Sequence, residues 1–105
     1  MIAKEKPSLV QVQVELFGLA RLLAGRDSVT VAVPRRATGA DVAATLAEVL
    51  PQLVGSVILV DRSGFQPSYT LNVNGTAFVP IGPTELPLNL NENDSILVFS
   101  SQAGG

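Results

Sequence analysis

The sequence predicts an α+β fold, a mixed sheet with one main helix across one face. Three observations carry this. Residues 10–16 and 29–33 alternate apolar and polar positions with the period of 2 that marks half-buried strands. Residues 42–53 then switch to a period of 3.6. The last apolar run, Ile96-Leu97-Val98-Phe99, has apolar residues on both of its faces, which points to a central strand buried on both sides.

The elements follow in order. Residues 1–8 read as a flexible N-terminal tail ending near Pro7, ahead of a domain over 9–99 and a flexible Gly-Gly tail over 100–105. The first strand places Val10, Val12, Val14 and Leu16 on one face, with Gln11, Gln13 and Glu15 on the other. In Phe17–Gly25, Leu19, Leu22 and Leu23 fall at i, i+3 and i+4 and Gly25 supplies a stop. This predicts a short helix within a long hairpin connection. Val29, Val31 and Val33 form the second strand, which Pro34 ends. Val42, Leu46, Val49, Leu50 and Leu53 make the apolar stripe of the main helix. Thr38 is its N-cap, Asp41 is the acid of a shortened capping box, and Pro51 stops it near Leu50.

Val57–Val60 is a short unalternating run that suits a strand or the end of a second helix. Asp61-Arg62-Ser63-Gly64 signals a turn. Tyr69, Leu71 and Val73 alternate into Asn74-Gly75, a tight-hairpin signal, with Thr76–Val79 as the returning strand. Leu86, Leu88 and Leu90 alternate through Pro87, as in an edge strand or an extended loop. Asn91–Asp94 turns the chain into the strand Ser95–Phe99. A hairpin, a helical crossover and a final strand lying beside the first make the β-grasp arrangement.

Composition narrows the function. The chain has 105 residues, one domain's worth, with 47% hydrophobic and 15% charged residues, so it should fold. Net charge is −2, against the basic field of a nucleic-acid binder. There is no Cys and no His, which removes disulfides, thiolate nucleophiles, Cys/His zinc sites and His general bases together. No metal site and no bound cofactor are expected. No unbroken apolar run exceeds four residues, far short of the roughly 20 of a membrane span. The lysines at 4 and 6 have no apolar stretch behind them, so no signal peptide is read, and a cytoplasmic location is expected.

Catalytic groups are scarce. Asp41 and Glu48 share a helix face, but at roughly 10 Å of rise they form no dyad, and a solvated face is the plainer reading. Ser100 and Ser101 have no base beside them in the sequence. Arg35-Arg36 with Arg21 and Arg26 are a candidate basic patch on one edge, with solvated loops as the plainer reading. Gly25, Gly39, Gly64 and Gly75 stand isolated, with no phosphate-binding loop among them. Beyond Arg62 there is no Lys or Arg, while Glu85, Glu92 and Asp94 make that segment acidic, which fits a basic partner.

What remains is Gly104-Gly105 at the end of the sequence. It follows a strand expected to be central, so the sheet would aim it outward. The six residues after Phe99 reach up to about 20 Å. An α-carboxylate is a poor acyl donor until it is joined to AMP. Glycine, lacking Cβ, can be drawn extended through a narrow channel into another enzyme's site. The chain would then be a carrier or substrate, with its chemistry supplied in trans.

These residues resemble the ubiquitin-like sulfur carriers of the MoaD/ThiS family. The resemblance covers most of the chain from Val10 onward. It rests on Phe17–Gly25 after the first strand, Thr38-x-x-Asp41-Val42, Leu71-Asn72-Val73-Asn74-Gly75, and Asn93–Phe99 leading to Ala103-Gly104-Gly105. Asn93 stands where the family often has Gly, and Asn tolerates the left-handed conformation. The resemblance implies that Gly105 is adenylated and converted to a thiocarboxylate that donates sulfur, with Gly104 as the companion that lets the tail thread. It implies a ubiquitin-activating-like adenylating enzyme as partner, which uses the ATP. The insert at Leu19–Gly25 is similar to that of the molybdopterin synthase small subunit, which implies the large subunit as acceptor and a role in molybdenum or tungsten cofactor biosynthesis. The chain itself would not be an enzyme. Relatives serving thiamine, cysteine or tRNA thiolation share the same end. Two other readings stand beside the carrier: a protein modifier conjugated to lysines through Gly105, and an interaction module with an inert end. The partner-docking face should be the sheet face that the helix leaves open, with Val98 and Phe99 on opposite sides.

Overall fold

The first and last strands lie side by side and run in the same direction. In the computed structural model, which describes residues 9–75, 77–79 and 87–100, β1 (Leu9–Leu16) pairs in parallel with β5 (Ser95–Ser100), Val14 opposite Ile96 and Leu16 opposite Val98. β1 also pairs antiparallel with β2 (Ser28–Pro34), Val12 opposite Val31. On the other side β5 pairs antiparallel with β3 (Tyr69–Val73), which pairs with β4 (Ala77–Val79). The sheet order is β2-β1-β5-β3-β4. A parallel neighbour needs a crossover, and α2 (Gly39–Val49) lies in the chain between the two halves of the sheet.

The strand alternation sorts the sheet into two faces. Val10, Val12, Val14 and Leu16 are buried with Val31, Val33, Leu71, Ile96 and Val98, and the buried side of α2 completes this core. α2 buries Val42, Ala43, Leu46 and Ala47, followed by Leu50. Val49, assigned to the stripe by its spacing, is instead half exposed. Alanines let the helix sit close to the sheet and shift its buried side, leaving Val49 roughly 90° from the centre of that side. The capping box is present. The Asp41 N–H donates to Thr38 Oγ1 at 3.2 Å and the Thr38 N–H donates to Asp41 Oδ2 at 3.0 Å. Leu50 donates to Leu46 O at 2.7 Å, and Pro51 then opens a single 3-10 turn, Pro51–Leu53, that buries Leu53.

Several expectations shift. Val57–Val60 is neither strand nor helix. Val57 and Ile58 are buried in a compact loop, tied by Ile58 N–H to Leu53 O at 3.0 Å and Val57 N–H to Leu53 O at 2.9 Å, while Val60 faces water. Residues 87–90 form the extended loop rather than an edge strand, with Leu86 outside the described residues. Leu90 is fully buried, and the Leu88 and Leu90 N–H groups donate to Ala37 O and Arg35 O at 2.8 and 2.7 Å. β5 is central in the sheet but not buried on both sides, because Leu97 and Phe99 on its outer face are only half-buried. It runs to Ser100, one residue past the predicted end. Asn74 and Gly75 take the positive φ angles that the hairpin demands, 57° and 75°. Asn93 also takes a positive φ, 70°, at the turn into β5.

Candidate functional site

Gly104 and Gly105, like Ser101, lie outside the described residues. The structure fixes the place from which the chain sets out toward them. Ser100 ends β5 opposite Tyr69 of β3, while on the other side Val98 is held opposite Leu16 of β1. β3 thus pairs with β5 as far as Ser100, and β1 as far as Val98, two residues before it. Burial pushes the Tyr69 phenol up from its ordinary pKa, so it stays neutral beside Ser100.

Because β1 and β5 are parallel, the residues that follow β1 gather at the same end. Phe17 is extended (φ −131°, ψ 156°), which continues the strand alternation and sets it on the outer face. Carrying the register one residue beyond Leu16 and Val98 sets it on the same face as Phe99. α1 (Gly18–Ala24) follows and lies against β5. Gly25 closes it in the left-handed conformation at φ 72°, its N–H donating to Arg21 O at 2.9 Å. The helix exists as predicted, but its inward face is not the leucine set. Ala20 is buried and Leu23 and Ala24 are partly buried, while Leu19 and Leu22 point outward with 45% and 77% of their surface exposed.

The outer face of the sheet is now assignable. Gln11, Gln13 and Glu15 from β1, Thr30 and Ala32 from β2, Leu97 and Phe99 from β5, and Thr70 and Asn72 from β3 share it by register. Its centre is the row Glu15–Leu97–Asn72. Asn72 is only 3% exposed and its side-chain oxygen accepts no hydrogen bond, the one buried polar side-chain atom so placed among the described residues. Nothing in the sequence distinguished Asn72 from the other strand polars, since its burial depends on long-range neighbours.

The other candidates resolve into structural roles. Asp41 caps its helix and Glu48 is exposed on it. The arginines form no common patch. Arg26 donates to Ser28 O at 2.9 Å and Arg21 lies 3.5 Å from Asp27, before β2 begins. Arg35 and Arg36 sit after β2 ends, about 20 Å away along the strand. There Arg35 Nη1 donates to Leu90 O and Asn91 Oδ1 at 3.3 and 2.9 Å, and Arg36 Nη1 to Asn89 Oδ1 at 3.4 Å. These contacts clamp the 87–91 loop. Two of the three carboxylates beyond Arg62 are also used locally. Glu92 Oε1 accepts from Gln11 N–H at 3.0 Å and Asp94 Oδ2 from Asn91 N–H at 2.8 Å. Glu85 lies outside the described residues. Gly39, at the start of α2, is packed so that an added Cβ would touch Leu71 at 3.5 Å, and Gly64 lies in an open turn. Among the described residues no group of three or more His, Cys, Asp or Glu could hold a metal, and no helix is long and apolar enough to cross a membrane.

No protein-family model and no curated protein matches the sequence. Solved structures do match. Small archaeal modifier protein 1 from Haloferax volcanii superposes with a TM-score of 0.68 at 23% identity, covering 90% of this chain and 99% of that one. Small archaeal modifier protein 1 from Methanosarcina acetivorans gives 0.65 at 21% identity, covering 93% and 99%. A protein described as a candidate molybdopterin converting factor subunit 1, from Pyrococcus furiosus, gives 0.59 at 22% identity, covering 87% and 97%. With its mixed sheet, parallel first and last strands and crossover helix, the chain has the ubiquitin-like β-grasp fold.

Proposed function

We propose that this chain is a ubiquitin-like sulfur carrier. A partner adenylating enzyme activates the Gly105 carboxylate with ATP, and the acyl-adenylate is converted to a thiocarboxylate that donates sulfur to an acceptor enzyme. The observation that carries this reading is the placement of the final strand. β5 is the centre of the sheet, paired with β1 as far as Val98 and with β3 as far as Ser100, and this supports presentation of the five residues ending in Gly104-Gly105 from a fixed base. Gly105 is the reacting residue, and Gly104 keeps the approach narrow enough to thread. In this reading the partner supplies the reaction. The acceptor we favour is a molybdopterin synthase large subunit, supported by the insert at Leu19–Gly25 and by the Pyrococcus furiosus neighbour. The cytoplasm is the expected compartment.

The test is intact-mass spectrometry after incubation with ATP, a sulfur source and the cognate adenylating enzyme, alongside a Gly105-deleted variant and one carrying an extra residue after Gly105. Exchange of one oxygen for sulfur in the parent alone is the expected result. An unchanged mass with an enzyme active on another carrier would overturn the reading. The names of the Haloferax volcanii and Methanosarcina acetivorans neighbours favour a second reading, that Gly105 is joined to lysines of other proteins. The same spectra, searched for Gly105 isopeptide adducts, separate the two.

A further inference from the structure

We propose that the outward face of α1, Leu19 and Leu22 with Phe17 at its start, is a docking ledge for the adenylating enzyme that takes up the C-terminal tail. This rests on the carrier reading and adds to it a surface and a geometric reason. β5 is described to Ser100, and five residues lead from it to Gly105. Fully extended, they span at most about 18 Å. The active site that receives the Gly105 carboxyl must therefore come within that distance of Ser100. A stable protein interface covers about 800 Å² on each partner, a patch roughly 16 Å in radius. An enzyme seated around a tail this short cannot avoid the end of the sheet where α1 lies.

The surface there fits an interface. Leu22 is 77% exposed, Leu19 45% and Phe17 40%, three large apolar side chains within six residues. Single exposed leucines are ordinary, whereas a cluster at one spot marks an interaction site. α1 gains little from them itself, since only Ala20 is buried in the core. At the edge of the ledge the Arg21–Asp27 ion pair is solvated, with 59% and 85% of the two side chains exposed. A charged rim around an apolar centre is the usual anatomy of a protein interface.

The test uses the full chain with Leu19→Glu and Leu22→Glu combined, and Leu9→Glu as control. Leu9 is comparably exposed at 59%, but it starts β1, about 23 Å along the strand from Leu16. Initial rates of Gly105 activation are measured against carrier concentration with the cognate enzyme and saturating ATP, and melting curves are recorded for all three proteins. The double variant should raise KM on the order of tenfold or more, with kcat within about twofold and an unchanged melting curve, while Leu9→Glu leaves KM alone. A parent KM in the double variant, with the parent active, overturns the docking assignment and leaves the carrier reading standing. Failure of the parent to be activated at all overturns the carrier reading and the ledge with it.

Discussion

Leu90 and Leu22 are the same residue type in short apolar clusters, yet the structure sets them far apart in energy. Leu90 is fully buried on an irregular loop, held where its N–H donates to Arg35 O at 2.7 Å and its carbonyl accepts from Arg35 Nη1 at 3.3 Å. With its backbone held by these bonds, the loop has little freedom to collapse into the space that truncation leaves. Leu90→Ala should therefore cost about 2–5 kcal/mol, lost transfer energy plus residual cavity. For a domain near 100 residues each kcal/mol moves Tm by about 4–8 °C, so a cost near 3 kcal/mol lowers Tm by roughly 12–24 °C. Leu22→Ala, at 77% exposure, should stay within about 0.5 kcal/mol of the parent. Urea unfolding of the three proteins measures both, with an unchanged m-value as the check that only stability moved. A Leu90→Ala cost below about 1 kcal/mol would refute the claim that this loop is part of the core.

Thr38→Ala removes the side-chain acceptor of the capping box and should cost about 1 kcal/mol, read from the same unfolding curves. Asn93→Gly should be neutral or stabilising by a few tenths of a kcal/mol, because φ is 70° there, and Asn93→Val should be clearly destabilising. The Asp61 carboxylate accepts from the Ser63 hydroxyl at 2.7 Å and from its N–H at 3.0 Å, which holds its pKa below the ordinary aspartate value. Its depressed pKa means that this contribution to stability is present above the unfolded value and is lost as pH falls through the folded one. NMR titration should show Asp61 rising toward the ordinary value in Ser63→Ala. Under the modifier reading, copies joined to one another can be linked at Lys4 or Lys6 but at no lysine beyond them. Peptide mapping of a Lys4→Arg, Lys6→Arg double variant should show no lysine-linked self-adduct.

The legible parts of this fold are those whose signal is local. The alternation Val10 to Leu16 fixes both the strand and its buried face, and Thr38 with Asp41 marks the start of α2 to the residue. The double-sided run 96–99 correctly marks the centre of the sheet. Features set by distant neighbours were not legible. Leu19 and Leu22 have helical spacing, but Ala20 takes the core position, and no period distinguishes an inward alanine from an outward leucine on a helix of two turns. Val57–Val60 has no period at all, so its loop form depends on what it packs against. The arginines appear as a patch in sequence only because β2 is short, and the strand's extension separates them. The role given to the Gly-Gly end rests on the sequence alone, since those residues lie outside the described ones, and the structure contributes the strand before it, described to Ser100.

The connection between β1 and β2 ties these points together. Two antiparallel strands need only two to five residues to turn, yet residues 17–27 intervene here. The insertion is not explained by the core, to which α1 contributes one buried side chain. Its position is explained by topology. β5 runs parallel to β1, so whatever follows β1 must emerge at the end of the sheet where Ser100 lies. A longer connection at any other hairpin would not meet that requirement. Lengthening this one adds surface beside the tail without disturbing the sheet register. Under the carrier proposal, the insert is the place where the docking surface can change while the core stays the same. Under the same proposal, shortening it to a tight turn should leave a folded β-grasp domain, with an unchanged far-UV spectrum, that a cognate adenylating enzyme binds poorly in a direct binding assay.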